Sequence, residues 1–181
     1  MTAFEIACQI WENEYIPVLR KWGFNVMEVP PNLQELPTYL LGERVWKIER
    51  GKKTDTTVVM YAFSWEEKNI RINFAPVRVW EFCSPTVKAA RRAFDEIVAR
   101  LVVSATIQRH VRYKPHFIKR LNGREIQFQF VFKGNEWRWL AWVFENGKWG
   151  KEPYEVSGTT DADPIIAFRQ FERAVGLDLL V

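Results

Sequence analysis

Basic and aromatic side chains alternate over residues 109–120, and no other segment is so well suited to binding chemistry. Its Lys and Arg residues, with the two rings that lie between them, are Arg109, Arg112, Tyr113, Lys114, Phe117, Lys119 and Arg120. Lys and Arg neutralise phosphates, and aromatic rings stack on unpaired bases with about 1–3 kcal/mol each. The segment therefore predicts phosphate contacts from its cations and base stacking by Tyr113. The alternative is a helix-to-strand junction with Val111, Phe117 and Ile118 in the core.

A second aromatic segment, residues 136–144, alternates with the period of a β-strand. Its two faces are Trp137, Trp139, Ala141 and Val143 on one side and Arg138, Leu140, Trp142 and Phe144 on the other. The preceding strand has Gln127 and Gln129 on its polar face. If Arg138 and Trp142 share their side, the surface offers rings, amides and a guanidinium to bases and backbone. The alternative is a strand buried on both faces.

Two further residues complete the predicted nucleic-acid site. Trp149 lies in a turn between Lys148 and Lys151, so we expect its ring to be exposed and able to stack. Arg124 begins a predicted strand and adds a cation to the same half of the chain.

Catalytic, metal-binding and cofactor-binding patterns are not found in the sequence. His110 and His116 are six residues apart, a spacing that matches no tight zinc site. No glycine-rich phosphate loop and no serine nucleophile elbow are present. We therefore expect a protein that is not an enzyme and has no cofactor.

One set of carboxylates offers a remote alternative. Asp55 precedes an apolar strand that ends in Glu66-Glu67-Lys68, and this order resembles the core of the PD-(D/E)xK nucleases. The resemblance implies Mg²⁺ held by two acids, a lysine that orients water, and Glu12 or Glu14 as a further ligand. Because Asp55 and Glu66 lie in predicted turns, solvated surface charge is the default interpretation.

Positive charge is concentrated in the middle of the chain. Residues 88–124 contain ten Lys and Arg but two acids, a charge of +8, whereas the remainder carries −4. This asymmetry favours a polyanionic partner more strongly than the overall charge of +4. The alternative is an ordinary solvated surface.

The elements that must position these residues begin with a helix. Apolar residues recur at helical spacing over residues 3–22, with Pro17 predicted to interrupt the helix and Gly23 to end it. A proline-rich loop follows. Period-two patterns then predict strands at 44–50, 56–65, 69–74 and 77–82, and Ser84-Pro85 begins a helix that reaches about Arg109.

The second half repeats this order of strands followed by a helix. Strands are predicted at 117–121, 124–133, 137–145 and about 151–156, with hairpin turns at Asn122-Gly123 and Asn146-Gly147. Asp163-Pro164 begins a helix that Gly176 ends, and the apolar tail 177–181 is expected to dock on the core.

An internal duplication is the simplest interpretation of the two halves, since Ala93-Phe94 and Ala167-Phe168 occupy matching helix positions. We predict an α+β fold with an N-terminal helical segment (1–38) and two tandem antiparallel sheet-plus-helix repeats (43–109 and 110–181), packed as one compact domain. By pattern alone, this resembles the Whirly and PUR-type binders of single-stranded nucleic acid. A unit of three strands and a helix also resembles the AP2 duplex binders. Neither resemblance assigns a site residue.

Composition bounds the remaining possibilities. The 181 residues are 48% hydrophobic and 27% charged, values of a globular chain, with nine Trp and thirteen Phe. Two distant cysteines form no disulfide framework, so a reducing intracellular compartment is expected, and no membrane span or signal peptide is expected. We predict a non-catalytic nucleic-acid-binding protein of low sequence specificity that favours single strands and can form a homo-oligomer. The alternative is a protein-binding module that uses its Trp and Arg residues.

Overall fold

The computed structural model describes residues 3–30, 40–50, 55–63, 66–75, 87–107 and 114–179, with the backbone alone at 40–43, 55–63 and 66–75. The chain divides into two compact units, Met1–Val98 and Ala99–Val181. Helices and antiparallel sheets make up both units, which confirms the α+β class. None of the described helices is long and apolar enough to cross a membrane.

The N-terminal helical segment is interrupted where the sequence predicts it. Helix α1 (Ala3–Ile10) passes into a π-helical turn (Trp11–Tyr15) and then into α2 (Ile16–Lys21). Pro17 is the second residue of α2, just after the π-helical turn, and its missing N–H interrupts the helical hydrogen-bond ladder there. Gly23 ends the segment with φ +93°, a left-handed conformation that favours glycine.

The first sheet contains four antiparallel strands in sequence order. They are β1 (Asn25–Val29), β2 (Leu40–Glu49), β3 (Asp55–Phe63) and β4 (Glu66–Ala75). The last three lie where the sequence predicts strands, whereas β1 was not predicted. Only one of its residues, Val26, is buried, so it lacks the alternation that would reveal it. The strand predicted at 77–82 lies outside the described residues.

Helix α3 (Val87–Thr106) buries one apolar face. Apolar residues at helical spacing predict a face of Phe94, Ile97, Val98, Leu101 and Ala105; the first four are at most 1% exposed, whereas Ala105 is half-buried. Within the first unit, the ring of Phe94 lies 5.1 Å from Trp11 and 5.2 Å from Tyr15. The Tyr15 hydroxyl donates to Asp95 Oδ1 at 2.8 Å, and burial, together with this carboxylate, raises the pKa of Tyr15. The helix start predicted at Ser84-Pro85 is outside the described residues.

The second unit is built on an antiparallel sheet of five strands. They are β5 (His116–Leu121), β6 (Arg124–Lys133), β7 (Glu136–Glu145), β8 (Lys148–Trp149) and β9 (Tyr154–Thr159). Strands β5, β6 and β7 are adjacent, and β8 and β9 both pair with β7. Asn122 (φ 50°) and Asn146 (φ 53°) turn the chain, each followed by a glycine with positive φ, as predicted for these hairpins. The predicted strand at 151–156 is displaced, since β9 begins at Tyr154.

Helix α4 (Pro164–Asp178) packs on this sheet. The ring of Phe168 lies 4.4 Å from Trp139 and 5.2 Å from Phe128. The predicted end at Gly176 is wrong, because the helix continues to Asp178. Leu177 is 60% exposed, so the predicted docking of the tail on the core is wrong at this residue. Residues 180 and 181 lie outside the described part of the chain.

The start of α4 gives a first testable prediction. Asp163 caps the helix, since its Oδ1 accepts a hydrogen bond from the Ile165 N–H at 2.8 Å. Asp163→Ala is expected to destabilise the protein by about 1 kcal/mol, because that donor loses its partner. Asp163→Asn keeps an acceptor and should keep most of the stability. Urea denaturation of the two variants measures this, and equal losses would contradict the capping role.

Candidate functional site

The second sheet has one covered face and one open face. On the covered face, Phe128, Phe130, Trp137 and Trp139 are at most 2% exposed, and Phe168 of α4 packs against Phe128 and Trp139. Because side chains alternate along a strand, the intervening residues of β5, β6, β7 and β9 point to the other side. We call this side the open face.

Strand register determines which residues share the open face. Trp142 of β7 lies opposite Gln127 of β6, and Gln127 lies opposite Ile118 of β5. The next row of the same face pairs Gln129 with Leu140. Arg138 lies two residues further along β7, opposite Val131. Arg138 and Trp142 therefore share a side with Gln127 and Gln129, which is the condition set by the sequence for a mixed ring, amide and guanidinium surface.

Exposure differs among the residues of this face. Ile118 is 60% exposed and Phe144 is 36% exposed. Trp142, Gln127 and Gln129 are partly exposed, as expected for the middle of a sheet face. The alternative burial of Ile118 in the core is wrong, whereas Phe117 is buried as that interpretation required. The open face thus presents apolar and aromatic surface beside amide groups.

Trp149 is only partly exposed, which corrects the expectation of an exposed turn residue. It belongs to the short strand β8 and lies opposite Phe144, so both rings are on the open side. Their ring centroids are 5.1 Å apart, with the rings close to edge-on. This packing covers part of the Trp149 ring while leaving Phe144 accessible.

Two of the predicted phosphate-binding cations lie on the covered side. Lys119 alternates with the buried Phe117, and its Nζ lies 2.9 Å from a carboxylate oxygen of Glu172 on α4. Arg124 alternates with the buried Ile126 and pairs with Glu145. Both are therefore separated from Trp142 by the sheet and are held by carboxylates. The structure thus places these two cations on the side of the sheet opposite to Trp142.

Three other predicted cations are on the open face or next to it, where a phosphate could reach them. Arg120 belongs to the open face, as does Arg138, whose side chain is 53% exposed and lies 3.5 Å from Glu155. Such an exposed pair contributes at most about 1 kcal/mol, so a phosphate can compete for the guanidinium. Lys114 is exposed immediately before β5. Among the described residues, neither Lys114 nor Arg120 forms an ion pair. Arg109, Arg112 and Tyr113 lie outside the described residues.

A depression of about 410 Å³ lies beside Trp149 at the edge of the sheet. Val143, Tyr154 and Leu179 line it together with Lys148 and Lys151. The Tyr154 hydroxyl donates to the Asp178 carboxylate, and this hydrogen bond raises the pKa of Tyr154.

The nuclease interpretation gains no support from the described side chains. Glu12 is paired with Arg44, and Glu14 is paired with Arg91, whose hydrogen bond lowers the pKa of the Glu14 carboxyl. Asp55 begins β3 and Glu66 begins β4, but their side chains are outside the described set. Within the described ranges, no group of three potential ligands could hold a metal ion.

Phe144 is an aromatic residue of this surface that the predicted site omitted. The signal was available in the sequence, since period-two alternation places Phe144 on the same side as Arg138 and Trp142. Comparison of the chain with models of protein families, with curated proteins and with solved structures finds no match. The function is therefore argued from the geometry of the open face.

Proposed function

We propose that the chain is a non-catalytic protein that binds unpaired nucleic acid on the open face of its second sheet. The observation that carries this proposal is the row in which Trp142 lies opposite Gln127, with Arg138 on the same face. A ring can stack on a base plane, an amide can hydrogen-bond a base edge, and a guanidinium can pair with a phosphate.

The shape of this surface favours single strands over duplexes. The planes of bases in a duplex are covered by their neighbours, so a ring on a sheet can stack only on a base that is free of its own stack. Gln127 and Gln129 each offer both a donor and an acceptor, which suits several base edges. We therefore propose low sequence specificity.

The charge of the second unit supports a polyanionic partner. The unit Ala99–Val181 contains 13 Lys and Arg and 9 Asp and Glu, whereas Met1–Val98 contains 13 of each. The entire formal charge of +4 therefore belongs to the unit with the open face. Such a charge raises the local concentration and the association rate of an anionic strand.

We also propose that the two halves of the chain are tandem repeats, the arrangement that resembles the Whirly and PUR-type proteins. Antiparallel strands precede α3 in the first half and α4 in the second. Phe94 and Phe168, at matching positions of these helices, are 0% and 3% exposed. Equivalent burial is what a duplication of one sheet-plus-helix unit requires.

A protein-binding surface is the second candidate, because the open face also carries exposed apolar area and balanced charge. Ile118 is 60% exposed, Glu155 lies beside Arg138, and Glu125 lies opposite Arg120. Affinity for an aromatic protein interface would change little with salt, whereas affinity for phosphates falls steeply.

A pair of double variants tests the proposed function. Arg120→Gln/Arg138→Gln removes two cations from the open face, and Lys119→Gln/Arg124→Gln removes two from the covered side. Fluorescence anisotropy with a labelled mixed 20-mer single strand would measure affinity at several salt concentrations. The open-face variant should bind about 5- to 30-fold more weakly, as expected for two exposed charge contacts of about 0.5–1 kcal/mol each.

The covered-side variant is the matched control, since it changes the net charge by the same amount. In the open-face variant, the slope of log affinity against log salt should become shallower by about 1.4, because each phosphate contact to a single strand contributes about 0.7. Equal losses in the two variants would contradict the placement of the site. Absence of binding by the unaltered protein at low salt would refute nucleic-acid binding itself.

A further inference from the structure

We infer that an unpaired strand runs along β7, with successive bases on Trp142 and on Phe144, the latter supported by Trp149. This inference rests on the proposed function and adds a path, a second stacking position and a minimum length of ligand. Phe144 is the residue that it newly assigns to binding.

The first argument is the order of rings along one strand. Trp142 and Phe144 are two residues apart on β7, so both point to the open face. Across the sheet, the neighbours in the same row as Trp142 are Gln127 and Ile118, neither of which is aromatic. A second ring therefore follows Trp142 along β7 and not along the row.

The second argument is spacing. Two residues of an extended strand cover about 7 Å, roughly twice the 3.4 Å rise between stacked bases of a duplex strand. Two adjacent bases cannot remain stacked on each other while each lies on one of these rings. The spacing therefore selects a strand whose bases are splayed apart, as in other complexes in which aromatic side chains hold unpaired bases.

The third argument is the support given to Phe144. Its ring centroid lies 5.1 Å from that of Trp149, and the residue is 36% exposed, so the side chain has a packing partner and remains partly accessible. An edge-on aromatic contact restricts the ring and contributes about 0.5–1.5 kcal/mol beyond its buried area. Phe144 is thus held in place before a base arrives, which reduces the entropy lost on binding.

Two cations of the open face lie near this path. Arg138 precedes Trp142 by four residues on β7, about 14 Å in an extended strand. Arg120 lies opposite Glu125 of β6, and Glu125 adjoins Ile126, which pairs with Val143, so Arg120 is to the side of Phe144 and two strands away. A backbone that follows β7 therefore meets Arg138 before Trp142, with Arg120 beside the path at Phe144.

Three alanine variants and two ten-residue homopolymers, dT10 and U10, test the path. Trp142→Ala and Phe144→Ala should each weaken binding about 5- to 150-fold, the equivalent of about 1–3 kcal/mol per stacked base. Ile118→Ala is the matched control, since it removes an exposed apolar side chain from the same face away from β7. It should change the affinity less than about threefold. DNA and RNA strands share the required chemistry, and the two probes show which one is preferred.

The outcomes separate the path from the proposed function. If Trp142→Ala loses affinity but Phe144→Ala loses no more affinity than the control Ile118→Ala, the path along β7 is overturned. Single-strand binding on the open face would then still stand. Unaltered protein that binds neither homopolymer at low salt would overturn both. Circular dichroism of Phe144→Ala, whose side chain is partly exposed, verifies that the variant is folded before its affinity is interpreted.

Discussion

Trp139→Ala is expected to destabilise the protein by about 3–5 kcal/mol, the range for removal of a large buried aromatic side chain. Trp139 is 0% exposed, and its ring centroid lies 4.6 Å from Phe130 and 4.4 Å from Phe168. Its Nε1 also donates to the Pro164 carbonyl oxygen at 2.9 Å, at the start of α4. Truncation would leave a cavity and remove a hydrogen bond between the sheet and the helix.

Trp142→Ala is the control for this prediction, because Trp142 lies on the same strand but on the open face. Because Trp142 is partly exposed, its truncation should destabilise the fold clearly less than Trp139→Ala does. Urea denaturation followed by far-ultraviolet circular dichroism gives both values. Equal destabilisation by the two substitutions would contradict the assignment of covered and open faces on which the binding site depends.

Gly158→Ala is the second substitution with a large expected effect. Gly158 lies opposite Trp137 in the pairing of β7 with β9. A Cβ at residue 158 would overlap Cζ2 of Trp137 and lie 2.8 Å from Cε2. The ring cannot move freely, since it is 2% exposed and its Nε1 donates to the Thr159 carbonyl oxygen at 2.8 Å. We expect a destabilisation of about 1–3 kcal/mol from the overpacked core.

Two further variants isolate the cause. Ser157→Ala changes the exposed neighbour on the open face of β9 and should have little effect on stability. In a Trp137→Phe background, the smaller ring leaves room at Gly158, so Gly158→Ala should be less destabilising there than in the unaltered protein. The two Gly158→Ala losses are compared by urea denaturation. The same loss in both backgrounds would show that contact with Trp137 is not the cause.

The local elements of the second unit could be predicted from the sequence because their signals are local. Asn-Gly pairs define two hairpins, Asp163-Pro164 defines the start of α4, and alternation in residues 136–144 separates Trp139 from Trp142. These features depend on residues close together in the chain. Strand β1, which was not predicted, and the start of β9, which was displaced, do not have such local signals. The extent of each strand depends on its pairing with a strand that is distant in the chain.

The side of the sheet on which each candidate cation lies was not predicted. The predicted nucleic-acid site contained Lys119 and Arg124 together with Arg120 and Arg138, because all four belong to the same half of the sequence. Alternation within the predicted strands would have separated them, because Lys119 shares a side with Phe117 and Arg124 shares one with Ile126. The reduced exposure of Trp149 depends on its tertiary contact with Phe144, which no spacing in the sequence reveals.

Trp142 offers the most direct test of the claim that the open face binds unpaired nucleic acid. In ¹H–¹⁵N spectra, the Trp142 indole N–H signal can be assigned with Trp142→Phe and followed during titration with dT10 or U10. We expect this signal to shift progressively, while the buried and hydrogen-bonded indole N–H of Trp139 stays in place. If a strand binds but the Trp142 signal does not shift, the site lies elsewhere. If neither strand binds, the chain does not bind unpaired nucleic acid. Either result would contradict the claim that the open face is the binding site.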